Sequence, residues 1–195
     1  MSRSRLFDRL WLQRALTELG ERACAEGKTI GIAIYGDAAL MLTYDWRTAT
    51  RDVDAVFEAD RQTIRRLTVA MAEEHGWDPD WLNDGVKGVL SAADAGAEAK
   101  RLFGTYPSEH RAGLRVMVPN PRYLFAMKCR AMRIGGNEES RDLEDIRNLA
   151  REIGITSATQ ALNLDSEFYP DRLIRPKTRF GLEEILGGIP DRGRL

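Results

Sequence analysis

The segment YGDAALMLTYDWRTATRDVDAVF, residues 35 to 57, contains the side chains whose types and spacing bear most directly on chemistry. Asp52 and Asp54 stand two apart. On a strand that spacing places both carboxylates on one face with Val56, while Val53, Ala55 and Phe57 share the apolar, core-facing side. Two carboxylates so close repel each other, an arrangement relieved by a cation between them, and hard oxygen donors of this kind suit Mg²⁺. Magnesium in turn brings phosphate. Upstream, the apolar stretch TIGIAIY ends at Gly36 and turns into a helix, whose first turn offers backbone N–H groups to an anion. Gly36 lets a ligand approach the backbone, and Asp37 and Ala38 complete the turn. Arg51, beside the acidic pair, is a further candidate for phosphate contact. Each part also has a plainer reading: a solvated strand end balanced by Arg47 and Arg51, and a glycine that only allows a tight corner. The conjunction is more specific than either part.

Elements must hold these residues in place. Leu6, Leu10, Ala15, Leu19 and Ala23, with Phe7, Trp11 and Leu12 beside them, recur at helical spacing and predict an amphipathic helix from Ser4 to Glu26. Thr29 to Tyr35 is β-branched and short and reads as a strand, Ala38 to Tyr44 as a helix, and Val53 to Phe57 as a second strand. Asp60 is placed to cap a helix running to about His75. The middle, GWDPDWLNDGVKGVLSAADAGAEAK, carries turn chemistry without long apolar runs. Leu114 to Val118 is the next expected strand. Asn120-Pro121 is a cap followed by proline at the first helical position, opening a helix expected to reach Gly135-Gly136. RDLEDIRNLAREI follows as another helix with Ser140 as its expected cap, and shorter helical patterns such as GLEEIL precede a PDRGRL tail. Strands first and helices later predict an α+β fold: a small mixed β-sheet flanked by helices over residues 1–119, and a helical C-terminal half over 120–195 packed on that core.

The totals bound the partners. The 195 residues are 43% hydrophobic and 30% charged, enough to bury a core. Net charge is -1, from 29 Lys and Arg against 30 Asp and Glu, so any contact with RNA must come from a local patch. Arg122, Arg130, Arg133, Arg141, Arg147 and Arg151 offer such a patch, diluted by Glu138, Glu139, Glu144 and Asp145; the default is a salt-bridged solvent face. Cys24 and Cys129 form no metal-spaced cluster and read as reduced, packed residues. Neither a signal-type nor a spanning apolar run is present, so a cytoplasmic protein without membrane contact is expected. His75 and His110 are isolated. Trp77 and Trp81 flank Asp78-Pro79-Asp80; stacking on a base is conceivable, packing of an irregular connection the plainer reading.

The ordered motifs resemble the nucleotidyltransferases of the DNA polymerase β superfamily, whose pattern is a hydrophobic strand, Gly-Gly or Gly-Ser, a helix, then Asp-x-Asp on the next strand. They are most similar to the bacterial AbiEii/AbiGii-type nucleotidyltransferase toxin-like proteins. There a segment like RDVDAVF is followed by a helix bearing a lysine and then by an Arg-Asp-x-x-Asp helix. Here those are PRYLFAMKCRAMR, with Lys128, and RDLEDIRNL, with Arg141, Asp142 and Asp145; DWLND at 80 to 84 is similar to one branch of these proteins. The resemblance spans roughly residues 29 to 150. It implies a nucleotidyltransferase-like fold, Mg²⁺ on Asp52 and Asp54, and the triphosphate of an NTP at Gly36 and the turn of Asp37. Lys128 would neutralise developing phosphate charge, and Asp142 would position that lysine or the acceptor. It further implies transfer of NMP to an RNA end, such as that of tRNA, or to a protein hydroxyl, and a toxin with a cognate antitoxin partner. Taken on the residues alone, Lys128 reads as a solvated or snorkelling lysine, and Asp142 and Asp145 as acids opposing a helix dipole.

The chain departs from the pattern twice. Asp37 stands where the superfamily has Gly or Ser, and Arg115 to Val118 lacks the third carboxylate many members carry. Deprotonation of an acceptor then falls to Glu109, Asp84 or water. These departures motivate two alternatives: a catalytically degenerate binding module on the same fold, and an antitoxin-type adenylyltransferase acting on a partner toxin, which usually has a Gly-Ser turn.

Overall fold

The computed structural model describes residues 6–96, 98–133, 139–170, 174 and 176–187. It is a mixed α+β chain that divides into two compact units, one of residues 1–88 and 100–119, the other of 89–99 and 120–195.

The first unit begins with β1 (Phe7–Asp8) and α1 (Arg9–Ala25). Asp8 caps α1, its Oδ1 accepting from Trp11 N at 2.7 Å. The buried stripe of α1 runs through Leu12, Ala15, Leu16, Leu19 and Ala23. Leu6 and Leu10, expected on that stripe, are each 56% exposed. The chain is already extended at Phe7 to pair with β3, which fixes the phase of the helix that follows. After α1 come β2 (Ile30–Ile34), α2 (Gly36–Thr43), β3 (Ala49–Thr50), β4 (Val53–Ala59), α3 (Arg61–His75), β5 (Leu82–Asn83), β6 (Lys100–Ser108) and β7 (Arg111–Pro119). Asp60 caps α3 as expected, its carboxylate accepting from Thr63 N.

A five-stranded sheet has the order β5-β4-β2-β7-β6. β2 runs parallel to β7, and β4 to β5; β2 with β4 and β6 with β7 are antiparallel. Alternation is clear on the central strands: Ile30, Ile32 and Ile34 share one face with Leu114, Val116 and Val118, none more than 1% exposed. α1 packs closely on β7. A Cβ on Gly113 would lie 1.9 Å from the Gly20 carbonyl oxygen, so only glycine admits the helix at that distance.

The strand β6 was not legible in the sequence. It is an edge strand with polar and half-buried residues, paired along its length with β7. An edge strand solvated on one side needs no apolar alternation, and its partner supplies the ladder.

The second unit is built on α4 (Pro121–Ala131), with α5 (Glu139–Glu152), α6 (Ala158–Phe168) and α7 (Pro176–Leu186). Asn120 caps α4, accepting from Tyr123 N at 2.8 Å, and Pro121 follows at the first helical position. Tyr123 through Cys129 are all buried, because α4 packs against α5, α6 and α7 and keeps no solvent face over those turns. Ser140, expected as a cap, lies inside α5. Gly135-Gly136 and the PDRGRL tail fall outside the described residues. Cys24 and Cys129 are both free thiols.

Candidate functional site

In the first unit, the C-terminal end of β2 and the start of β4 meet at one end of the sheet. Ile34 pairs with Ala55, and the Tyr35 amide donates to the Asp54 carbonyl at 2.8 Å. The chain then turns at Gly36 with φ +59°, in the left-handed region, and enters α2. A side chain at position 36 would be strained twice over, since its Cβ would also stand 3.2 Å from Asp54 Oδ2. The pairing of β2 with β4 thus brings the glycine corner and the second aspartate together. The helix starts at Gly36 rather than Ala38, and Tyr35 supplies no side-chain cap. Its first-turn amides therefore have no intrahelical carbonyl and no capping oxygen from the preceding residue.

Asp54 is half-buried on β4, between buried Val53 and Ala55; Asp52 and Arg51 are exposed just before the strand. Thr50 Oγ donates to the Asp52 carbonyl at 2.8 Å, holding the entry to β4. The buried Ala38, 1% exposed, can offer a ligand only its backbone. Arg9 ties down the other end of α2, donating to the carbonyls of Met41 at 2.7 Å and Tyr44 at 2.6 Å, which also complements the helix dipole.

Three neighbours of this corner are placed there only by the structure. Asn83 pairs with Asp54 across β4 and β5, and its side chain accepts from Gly85 N at 2.8 Å. The Gly85 Cβ position lies 3.8 Å from Asp54 Oδ1, so the Asn83–Gly85 turn borders the carboxylate. The quoted DWLND supplies Asn83 but stops one residue short of Gly85, and the placement of Leu82-Asn83 in β5 was the missing information. Arg47 is the third: its guanidinium donates to the Asp37 carboxylate, in a side chain only 13% exposed. The Asp37 carboxylate, which alone would repel a phosphate, is therefore met by a cation already in place.

The candidates for a third acid divide by topology. Glu109 sits in the β6–β7 turn, and because β7 runs parallel to β2, that turn lies at the end of the sheet opposite Gly36. It does not belong to this corner. Asp84 follows Asn83 directly but is engaged by Lys87 Nζ at 2.7 Å and by Arg61. The Lys87 hydrogen bond outweighs burial and holds its carboxyl below the usual carboxylate range. Among the described residues no group of three or more His, Cys, Asp or Glu side chains is arranged to hold a metal. Asp52 and Asp54 are the two carboxylates near this corner that could hold a hard cation.

In the second unit, Lys128 is 6% exposed and neither solvated nor snorkelling. Its Nζ donates to Asp145 Oδ2 at 2.9 Å and lies 3.7 Å from Asp142 Oδ1. Both acids are on the buried stripe of α5 with Ile146, Leu149 and Ala150, so opposing the helix dipole is a minor part of their role. Asp142 also accepts from Arg133, at 2.9 Å from Nε and 3.2 Å from the backbone amide. Burial pushes its carboxyl up, but Arg133 and Lys128 more than offset this and hold it below the ordinary value. A second buried pair joins Arg130 to Asp165 at 2.8 and 2.6 Å, with the guanidinium 4.3 Å above the Tyr169 ring. Of the arginines considered as a basic wall, Arg122, Arg130 and Arg133 each meet an acid, as a salt-bridged surface requires.

Trp81 is 1% exposed and donates to the Thr68 carbonyl at 3.2 Å, packed edge-on against Trp11 and Trp77. Packing of the connection is its role. No described helix is long and apolar enough to cross a membrane.

No family model and no curated protein matches the chain. A solved structure, that of an antigenic nucleotidyltransferase-like protein from Paracoccidioides brasiliensis, is similar at 16% identity and a TM-score of 0.47, over 92% of this chain and 95% of that one. A likeness at that level carries no argument about activity.

Proposed function

We propose that this chain is a Mg²⁺-dependent nucleotidyltransferase that moves NMP from an NTP to a hydroxyl, on an RNA end such as that of tRNA or on a protein. The observation that carries the reading is the closeness of the Asp54 carboxylate to the left-handed Gly36 corner, 3.2 Å from where a Cβ would stand. An anion-accepting helix end and a cation-binding carboxylate are then neighbours, as a metal-bound triphosphate requires. In this reading Asp52 and Asp54 hold the ion, which when bound neutralises phosphate charge and orients the α-phosphorus. The amides of Gly36, Asp37 and Ala38 receive phosphate oxygens, and Arg51, at the lead-in to β4, is a further phosphate contact in this reading. The acceptor oxygen bonds to the α-phosphorus in line as the bond to the bridging oxygen breaks; pyrophosphate leaves and the acceptor proton passes to water. Lys128 and Asp142 are given no step in this reading: buried in the second unit and 3.7 Å apart, they are read as a structural pair. A cytoplasmic toxin with a cognate antitoxin partner completes the proposal.

The test is incubation of the protein with each labelled NTP, Mg²⁺, and total tRNA or lysate protein. Label transfer by the wild type and its loss in Asp52→Ala/Asp54→Ala are expected; equal transfer by the double variant removes the reading. A second reading, a non-catalytic binding module, is favoured by one observation, the Asp37–Arg47 ion pair at the corner. Tight Mg²⁺–NTP binding without turnover distinguishes it.

A further inference from the structure

Arg47 lies in the segment joining α2 to β3, and its guanidinium reaches back to the first turn of α2, where it holds the Asp37 carboxylate. Both side chains are largely covered, with 13% and 27% exposure. Asp37 follows the left-handed Gly36 and, with Arg47 bound to it, belongs to the first turn of α2, the turn whose amides an anion would use. A carboxylate in the first helical turn is favourable in itself, since it opposes the positive end of the dipole. The chain thus carries an internal anion at its own anion corner. A guanidinium fork fits carboxylate and phosphate alike, and nothing in its geometry prefers the first over the second.

We propose that the Asp37–Arg47 ion pair is a latch on the phosphate corner: a polyphosphate enters by taking Arg47 from Asp37, and Arg47 then becomes a phosphate ligand. This rests on the reading of Gly36 and Asp54 as a polyphosphate-binding corner. The latch makes the resting site self-neutralised and sets a threshold against weakly charged anions. A triphosphate with its metal displaces the carboxylate; a single inorganic phosphate, with fewer charges and no reach to Asp54, does not.

The experiment is titration calorimetry of inorganic tripolyphosphate with Mg²⁺, and separately of inorganic phosphate, into wild type, Asp37→Asn, Asp37→Ser, Asp37→Asn/Arg47→Gln and Asp54→Ala. Circular dichroism verifies that each variant is folded. Releasing Arg47 and removing the competing charge should tighten tripolyphosphate binding on the order of tenfold in both Asp37 variants. Adding Arg47→Gln should abolish that gain. Inorganic phosphate should bind the Asp37 variants and not the wild type. Binding by folded Asp37→Asn and Asp37→Ser no tighter than wild type, or a gain that survives Arg47→Gln, overturns the latch. The parent reading fails separately. If the Asp37 variants gain affinity but Asp54→Ala binds as well as wild type, the latch stands and the metal site falls. If the wild type transfers label in an Asp54-dependent way while the Asp37 variants gain nothing, the latch falls and the transferase stands.

Discussion

The charges of the two units are arranged in opposite ways. At the Gly36 corner, Asp54 is half-buried, Asp52 is exposed, and two carboxylates stand two residues apart on one strand and its lead-in. Around α4, Lys128, Asp142 and Asp145 are each no more than 6% exposed and close on one another, with Arg133 completing the set. A buried charge cluster that satisfies itself is a structural device, since each member answers the desolvation of the next. Asp52 and Asp54 stand instead at a sheet end near a helix N-terminus, where the proposed function gives them a cation to hold.

The contrast can be broken most directly at the corner. Asp52→Ala/Asp54→Ala should cost on the order of a thousandfold in label transfer, the several kcal/mol that a metal contributes to phosphoryl chemistry. It should lower stability by about 1 kcal/mol, since Asp54 is half-buried, and a thermal melt beside the transfer assay measures both. Lys128→Ala should do the reverse, lowering stability by roughly 3–5 kcal/mol because two buried carboxylates lose their cation. Denaturant unfolding measures it. An unchanged midpoint with transfer lost would move Lys128 out of the scaffold and into the chemistry.

A smaller effect falls on the corner again. Gly36→Ala should cost about 1–2 kcal/mol of backbone strain and crowd Asp54 Oδ2. Weakened Mg²⁺–NTP binding in calorimetry, beyond any change in the melt, is the expected result. The smallest effect is a pH dependence in the second unit. The Asp142 carboxyl is held below its ordinary value, so the folded state binds its proton less readily than the unfolded state. Its contribution is fully present above the unfolded pKa of about 3.9 and is lost as pH falls through the lower folded value. Unfolding midpoints should therefore be level from neutral pH to about 5 and drop below about 4. Asp142→Asn should lower the neutral plateau and flatten that acid limb.

Much of the first unit was legible because its signals are local. The alternation of buried Val53 and Ala55 with half-buried Asp54 and Val56, and the Asp60 cap, depend on neighbours in sequence, as does the Asn120-Pro121 start in the second unit; Phe57, expected on the core side, is only half-buried. Edge strand β6 and the two-residue strands β1, β3 and β5 were not legible, since each exists only through its partner. Lys128 was misjudged when taken on residues alone: a lysine on an amphipathic helix reads as solvated until other helices cover every side of it.

The sequence by itself determined that a glycine corner precedes an acidic strand, because turn and strand preferences act over a few residues. Only the tertiary structure decided that Asp54 abuts Gly36, that Arg47 answers Asp37, and that Lys128 is enclosed by Asp142 and Asp145. The reason is physical: electrostatic partners are chosen by distance and burial in space, and strand order and helix packing set both.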